Sequence, residues 1–380
     1  MITHSELQTL IHHAAKKGRT MLSVYLNVDQ RSAANLNRQF EVPLHNMLRE
    51  IEGGIREPRE RQDFEKSAAT VRQYVEAYRP LGRTLALFAD PSRDFFWARD
   101  FRMSTENQAR WLPRPFVRPF IEAREEHPRY AVALTDRGKT RLLSVYMGEI
   151  EEEEELVAEE DVRKFDASGK DQRRSQMRFQ RNAEEHAKHH LKNVANALRT
   201  LSEKKHFDRL ILGGPPRAIA DLERLLPDAL KNRVVSTVTL PVDTDRQTVL
   251  EETLRADERF EREHELKLTE ELLTAAAKGA LATTGLSETV KATAEGRVRT
   301  LVYPPDFNVA VKDCPAVPAN GESHADLAAL FGGHAKAEEN VLDLLVESAA
   351  REGGTVEVLH GQAGDRLKEA GAGVGAFLRY

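Results

Sequence analysis

The sequence of 380 residues contains a single cysteine, Cys314. One cysteine excludes an intramolecular disulfide and any zinc site built from several cysteines. No run approaches the roughly 18 apolar residues that a membrane helix needs. The first residues, Met1–Glu6, also lack the basic and then apolar layout of a signal peptide. We therefore expect a cytoplasmic protein that does not contact a membrane.

The sequence also lacks the usual signatures of metal and phosphate sites. His186 and His190 have the spacing of two metal ligands on a helix, but Lys188 lies between them and the glutamate of a His-Glu-x-x-His motif is missing. The glycines of 371–375 are followed by only five residues, so no helix N-terminus is available there for a phosphate. We predict no metal and no cofactor, and we expect the histidines to form an exposed cluster beside a basic loop.

The composition is that of a folded α/β protein, with 40% hydrophobic and 31% charged residues and a net charge of −5. Strand and helix patterns alternate along the chain, which predicts sheets flanked by helices. We divide the chain into an N-terminal α/β domain (1–124), a central mixed-sheet domain (125–262) and a C-terminal α/β/α sandwich (263–380).

A run of acidic residues follows the predicted hairpin of residues 130–147. The segment Glu149–Glu155 contains six glutamates interrupted only by Ile150. Paired carboxylates can serve as a metal or acid/base site. Charge on a solvated edge strand also prevents pairing with other chains, and this is the interpretation that we adopt.

The most unusual stretch combines a basic segment with a long helix. Residues 163–181 hold seven lysines and arginines against two aspartates. We predict a flexible loop that ends near Gln176 and a helix that continues to about Lys205, with one apolar face that packs on a core. That face consists of Ala183, Ala187, Leu191, Val194, Leu198 and Leu201. A cationic loop of this kind is either a solvated surface loop or a contact for nucleic acid.

These segments resemble the archaeo-eukaryotic peptide-chain release factor and Pelota superfamily, in its bacterial branch of Balon-like ribosome-binding factors. The basic loop, Arg178–Arg181 and the long helix are similar to the Gly-Gly-Gln loop and the Arg-Phe-x-Arg helix of that family. The hairpin of 130–147 and the strand of 207–214 resemble its central domain. The segments 288–302 and 367–380, which ends in Leu-Arg-Tyr, resemble its third domain. The resemblance covers roughly residues 128–380.

The resemblance implies a central RNase H-like domain and a tRNA mimic that enters the A site of the ribosome. It implies a third domain that meets a translational GTPase such as elongation factor Tu, and we expect the protein to be a monomer. The residues that would face the GTPase are Gly371, Gly373, Gly375 and Arg379. In release factors the glycine pair and the glutamine position water at the ester carbonyl. Here Arg173-Arg174-Ser175-Gln176 stands at that place, without the glycine pair.

We therefore expect a factor that binds ribosomes in hibernation or rescue without releasing the peptide. The residues expected to contact rRNA are Lys170, Gln172, Arg173, Arg174, Ser175, Arg178 and Arg181. Two alternatives remain open: a peptidyl-tRNA hydrolase in which Gln176 is the catalytic residue, and an RNA- or protein-binding module that acts off the ribosome.

Overall fold

A computed structural model describes residues 4–126, 128–136, 138–157, 172–314, 339–371 and 373–380, without the side chains of residues 4, 5, 7, 124 and 172–183. The chain forms two compact units. The first unit combines Met1–Glu126 with Glu265–Tyr380, and the middle unit is His127–His264. The two end segments, which the sequence divides into separate domains, thus belong to one unit.

The N-terminal part of the first unit is an antiparallel sheet in the order β3-β2-β1-β4. Its elements are α1 (His4–His12), β1 (Met21–Asn27), a 3-10 helix (Ala33–Arg38), α2 (Glu41–Gly54), α3 (Pro58–Ala77), β2 (Thr84–Asp90), β3 (Phe95–Phe101), β4 (Gln108–Leu112) and α4 (Arg118–Glu126). Side chains alternate along β1, as strand geometry requires: Leu22, Val24 and Leu26 pack with helices α2 and α3, whereas Tyr25 packs with α4.

The middle unit is built on a mixed sheet in the order β7-β6-β5-β8-β9. Its elements are β5 (Tyr130–Thr135), β6 (Lys139–Tyr146), β7 (Glu149–Val157), α5 (Gln172–Lys205), β8 (Arg209–Gly213), α6 (Pro216–Leu225), α7 (Asp228–Lys231), β9 (Val234–Val238) and the first part of α8 (Arg246–Ala277), whose residues from Glu265 onward belong to the first unit. Strands β5, β6 and β7 pair antiparallel, and β8 and β9 add in parallel. Helices α5 and α6 cover one face of the sheet, and α8 covers the other.

The C-terminal part of the first unit is a four-stranded sheet in the order β10-β13-β11-β12. Its elements are β10 (Ala282–Thr284), α9 (Leu286–Ala294), β11 (Val298–Tyr303), a 3-10 helix (Val311–Asp313), α10 (Val341–Arg351), β12 (Thr355–Val358), α11 (Gly361–Glu369) and β13 (Gly375–Leu378). Leu301 and Tyr303 pack with α9 and α10, whereas Val302 packs with α8 and α11. Both faces are therefore covered, which confirms the predicted α/β/α sandwich.

The structure differs from the sequence prediction at three places. Helix α4 follows Pro113 and Pro115 and contains Pro119, which local rules would assign to a connector, and strand β4, which ends just before them, was not predicted either. The short strand β10 was also missed. Helix α8 is continuous, although we predicted two helices with a domain boundary between them. It contains no glycine or proline, so nothing in its sequence ends the helix. None of the described helices is long and apolar enough to cross a membrane.

Candidate functional site

The basic segment that was predicted to contact RNA continues into the N-terminal end of α5. Lys170 lies in 158–171, outside the described residues. The backbone is helical from Gln172 onward, so the helix begins one turn before the loop end that was predicted at Gln176. The predicted rRNA-contact residues in this helical stretch are Gln172, Arg173, Arg174, Ser175, Arg178 and Arg181, and Gln176, the catalytic residue of the hydrolase alternative, lies among them. Their side chains are outside the description.

The start of α5 has an unusual distribution of charge for a helix. Its first turn contains no acidic residue, although Arg173 and Arg174 are both there. The N-terminus of a helix already carries a partial positive charge, and acidic residues normally offset it. Two arginines at this end add to the positive potential, which makes the end of α5 attractive to anions.

The apolar stripe of α5 is shorter than predicted. Leu191, Val194 and Leu198 are buried against the sheet, as the spacing indicated. Ala187 is only half-buried, and the other residues of 184–189 are exposed. The helix therefore packs on the body of the unit from about residue 190 onward.

His190 is the polar residue at the point where this packing begins. Its side chain is 3% exposed, so the prediction of an exposed histidine cluster was wrong for this residue, although His186 and His189 are exposed. The Nε2 atom lies 3.0 Å from Oγ1 of Thr140 on β6. Burial lowers the pKa of the imidazole below its usual value, against the opposing effects of Asp136 and of a hydrogen bond with the backbone at residue 139.

The sequence contained a signal for this burial that we missed. His190 stands four residues before Val194 and eight before Leu198, so it lies on the apolar face of the helix. Its spacing from His186 instead suggested a metal ligand. Within the described part of the chain, no three histidine, cysteine, aspartate or glutamate side chains are grouped so that they could hold a metal ion.

The C-terminal end of α5 is fixed by two arginines. Arg129 donates from Nη1 to the carbonyl oxygen of Lys205 at 2.8 Å, and its guanidinium lies 4.4 Å from the ring centre of Tyr146. Arg233 donates from Nη1 to Oγ of Ser202 at 2.8 Å. These contacts satisfy groups at a helix end that has no further intrahelical partners, so this end of α5 is firmly attached to the sheet.

Strand β7 carries the acidic run and lies at the edge of the sheet, as predicted. Four of its glutamates form ion pairs with neighbouring elements. The pairs are Glu151 with Arg129, Glu152 with Lys204, Glu153 with Arg141, and Glu155 with Lys139. Hydrogen bonds from Lys204 and Lys205 lower the pKa of Glu152. These carboxylates are engaged with cations of their own unit, so the structure gives them no role as an acid/base pair.

A groove of about 400 Å3 lies between α5 and α6. Its floor includes Ala187 and Leu191, and its rim includes Lys188. Across the groove, Arg217 pairs with Glu184 at 3.5 Å, and both side chains are largely exposed. The charges on the rim are therefore mostly compensated within the groove.

The glycine-rich stretch near the C-terminus forms a turn into the last strand, as the sequence indicated. Gly371 and Gly373 have φ values of +71° and +62°, which glycine adopts without strain. Gly375 is buried in β13, where an added Cβ would lie 2.9 Å from the carbonyl oxygen of Thr283. Arg379 is exposed and donates to the carbonyl oxygen of Glu352. Gly371 and Arg379 are thus accessible, whereas Gly375 has a packing role.

A comparison with known protein families gives a match for the central part of the chain. Residues 115–258, which run from the segment before α4 into α8, match the family described as bacterial archaeo-eukaryotic release factor family 10. No curated protein matches the chain.

Solved structures of release factors and Pelota proteins overlap with the chain at low identity. Dom34 of S. cerevisiae, described as a translation termination-like factor, is 15% identical over 75% of this chain and 72% of its own, with a TM-score of 0.42. The archaeal termination factor aRF1 is 18% identical over 100% and 99%, with a TM-score of 0.26. A ribosome-bound archaeal Pelota is 14% identical over 100% and 94%, with a TM-score of 0.37.

At these identities and TM-scores, the solved structures carry no argument about function. The likeness to release factors therefore rests on the sequence match of residues 115–258. It agrees with the resemblance of the hairpin, the basic segment and the long helix. Residues 115–258 are therefore similar to a bacterial family of archaeo-eukaryotic release factors.

Proposed function

We propose that this protein binds the ribosome, occupies the A site as a tRNA mimic and acts in hibernation or rescue without releasing the peptide. The match of residues 115–258 to a release-factor family supports the ribosome as the partner. The positive N-terminal end of α5 supports RNA as the surface that it meets, because phosphates dominate the affinity of cationic segments for RNA.

The absence of peptide release rests on one observation, the sequence Arg173-Arg174-Ser175-Gln176 in helical backbone. A glycine pair can adopt backbone conformations that are closed to other residues. Two arginines restrict the backbone, and a helix fixes it further. Gln176 therefore lacks the local geometry that the family uses to place water at an ester carbonyl.

The remaining parts of the proposal concern partners and location. A translational GTPase such as elongation factor Tu meets the C-terminal part, at the accessible residues Gly371, Gly373 and Arg379. The protein acts in the cytoplasm as a monomer, and its three predicted regions serve as the three parts of the tRNA mimic.

Co-sedimentation with ribosomes tests the proposal over a range of salt concentrations. The variant Arg173→Gln/Arg174→Gln should lower the affinity and reduce the slope of log K against log salt by about 1.4 to 1.8, because each lost phosphate contact removes about 0.7 to 0.9. The matched control is Lys192→Gln/Arg199→Gln, which removes two exposed charges from the same helix. We expect the control to keep the slope of the unmodified protein.

Two results would replace the proposal. Release of peptide from loaded ribosomes that disappears in Gln176→Ala would identify a peptidyl-tRNA hydrolase. Failure to co-sediment even at low salt would identify a binding module that acts off the ribosome.

A further inference from the structure

Helix α5 changes its surroundings at a single residue, His190. From Leu191 to Leu201 the helix is held by the buried stripe on the sheet, and its C-terminal end is held by Arg129 and Arg233. On the N-terminal side, residues 184–189 are exposed apart from the half-buried Ala187. His190 is thus the polar anchor at the boundary between the packed and the exposed parts of the helix.

A chain of hydroxyl groups connects His190 to the turn of the β5–β6 hairpin. Oγ1 of Thr140 lies 3.0 Å from Nε2 of His190 and 2.6 Å from Oγ1 of Thr135. The Thr135 hydroxyl in turn lies 3.2 Å from the carbonyl oxygen of Asp136, to which it can donate. All three side chains are buried, so each hydrogen bond is shielded from water.

The hairpin end of this chain is held in place by a close backbone contact. Gly214, which follows β8, has a φ of +133°, and an added Cβ would lie 2.0 Å from the carbonyl oxygen of Thr135. Asp136 accepts hydrogen bonds from the backbone amides of Gly138 and Lys139, which fixes the turn. The groups that meet His190 are therefore attached to a rigid part of the sheet.

Burial favours the neutral form of His190, whereas the nearby carboxylate of Asp136 favours the charged form. Asp136 acts on the imidazole from the hairpin turn. Arg141, the next residue along β6, is directed to the carbonyl oxygens of Val242 and Thr244 instead. On its own helix, Lys188 and His189 are exposed.

Small rotations at this anchor are amplified along the helix. The helix extends 18 residues from Gln172 to His189, which is about 27 Å at 1.5 Å per residue. A tilt of about 10° at His190 would move the N-terminal end by about 5 Å, given this length. Displacements of about 1 Å are already enough to disturb a positioned site.

We propose that His190 is a positioning residue whose hydrogen bond to Thr140 sets the direction in which α5 presents the basic segment. The proposal rests on the proposed function for the identity of the partner, but not for the geometry of the helix. The bond matters because residues 184–189 are exposed apart from the half-buried Ala187, so this described stretch adds little buried apolar contact. Protonation of His190 should loosen the anchor, because a charged imidazole is poorly accommodated in a buried position.

Spin-label distances measure this positioning without the ribosome. One label is placed by Ser175→Cys near the start of α5 and the other by Ala229→Cys on α7, which is exposed. The buried Cys314 is replaced by alanine to avoid a third label. This background should give one narrow distance distribution at neutral pH.

The variants His190→Leu and Thr140→Val keep the volume of the side chains but remove the hydrogen bond. We expect both to broaden the distribution and to move it by about 5 Å, as estimated from the length of the helix. His190→Gln, which retains a hydrogen-bonding group, should restore a narrow distribution. The control Thr253→Val removes a buried hydroxyl on the opposite face of the sheet and should change nothing.

The dependence on pH separates positioning from a general loss of stability. Lowering the pH through the depressed pKa of His190, which lies below the ordinary value of about 6.5, should broaden the distribution of the unmodified background and leave that of His190→Gln unchanged. Equal distributions in the background, His190→Leu and Thr140→Val would overturn the proposal, as would broadening in Thr253→Val. If the distances respond as expected but ribosomes do not bind, the positioning role stands and the proposed function fails.

Discussion

The guanidinium of Arg114, between β4 and α4, forms a buried ion pair with the carboxylate of Glu347 on α10. It also pairs with Glu339, which precedes the same helix, and all three side chains are buried. The same region holds an apolar core that includes Tyr25 of the N-terminal sheet and Leu345 of α10. Residues that are more than 200 positions apart therefore form one packed structure within the first unit.

We predict that Arg114→Ala lowers the free energy of unfolding by about 3 to 5 kcal/mol, because it removes the buried cation that Glu339 and Glu347 share. Urea unfolding monitored by circular dichroism measures the change. The control Arg59→Ala replaces an exposed arginine on α3 and should stay within about 0.5 kcal/mol. A loss below about 1 kcal/mol in Arg114→Ala would show that the pair does not hold the unit together.

The buried stripe of α5 gives a second prediction. Leu198 is fully buried against the sheet. Leu198→Ala should cost about 2 to 5 kcal/mol of stability, through lost burial and the cavity that it creates. Asn196→Ala, on the exposed side of the same helix, should be close to neutral. Thermal melts of the two variants compare them directly, and equal midpoints would contradict the packing of α5.

Two glycines should respond to alanine in opposite directions. At Gly214 the positive φ and the contact with Thr135 leave no room for a Cβ, so we expect Gly214→Ala to cost at least about 2 kcal/mol. Gly53 lies in α2 with open space around it, and Gly53→Ala should stabilise the protein by about 0.5 kcal/mol through helix propensity. Denaturant titrations measure both, and a tolerated alanine at 214 would contradict the close approach of β8 to the hairpin.

The buried imidazole of His190 predicts a dependence of stability on pH. Burial lowers the pKa of His190 in the folded protein, so the unfolded chain binds more protons as the pH falls below about 6.5. As the pH falls from about 6.5 to the lowered pKa of His190, the free energy of unfolding should therefore decrease. At still lower pH, His190 should cause no further decrease. Unfolding of the unmodified protein and of His190→Gln at several pH values tests this. An identical slope in both proteins would assign the effect to other groups.

Local patterns predicted much of the middle unit from the sequence. The spacing of Leu191, Val194 and Leu198 fixed both the helix and its buried face, because burial of one face has the period of the helix. The glutamates of β7 indicated an edge strand, because charge is tolerated only at an edge.

Features that depend on tertiary contacts were not predictable in the same way. Helix α4 begins among prolines, which local rules assign to a connector, but Phe120 and Ile121 bury it in the core of the first unit. The two end segments form one unit through contacts such as those of Arg114 with Glu339 and Glu347. Local sequence patterns cannot predict contacts between residues so far apart in the chain. His190 was predicted to be exposed because it was grouped with His186 and His189 beside the basic loop, although its spacing from Val194 places it on the buried face.

Helix α5 spans about 51 Å over its 34 residues, and the charge at its start is not balanced in the way that the charge at its end is. The arginines stand at the start, whereas the glutamates of β7 surround Lys204 and Lys205 at the finish. The electric field of a polyanion exerts a torque on a protein with this charge distribution. The torque turns the arginine end of α5 toward the polyanion before contact is made. If the partner is the ribosome, as proposed, encounters begin with the arginine end facing it, and the gain in association rate should fade as salt shortens the range of the field.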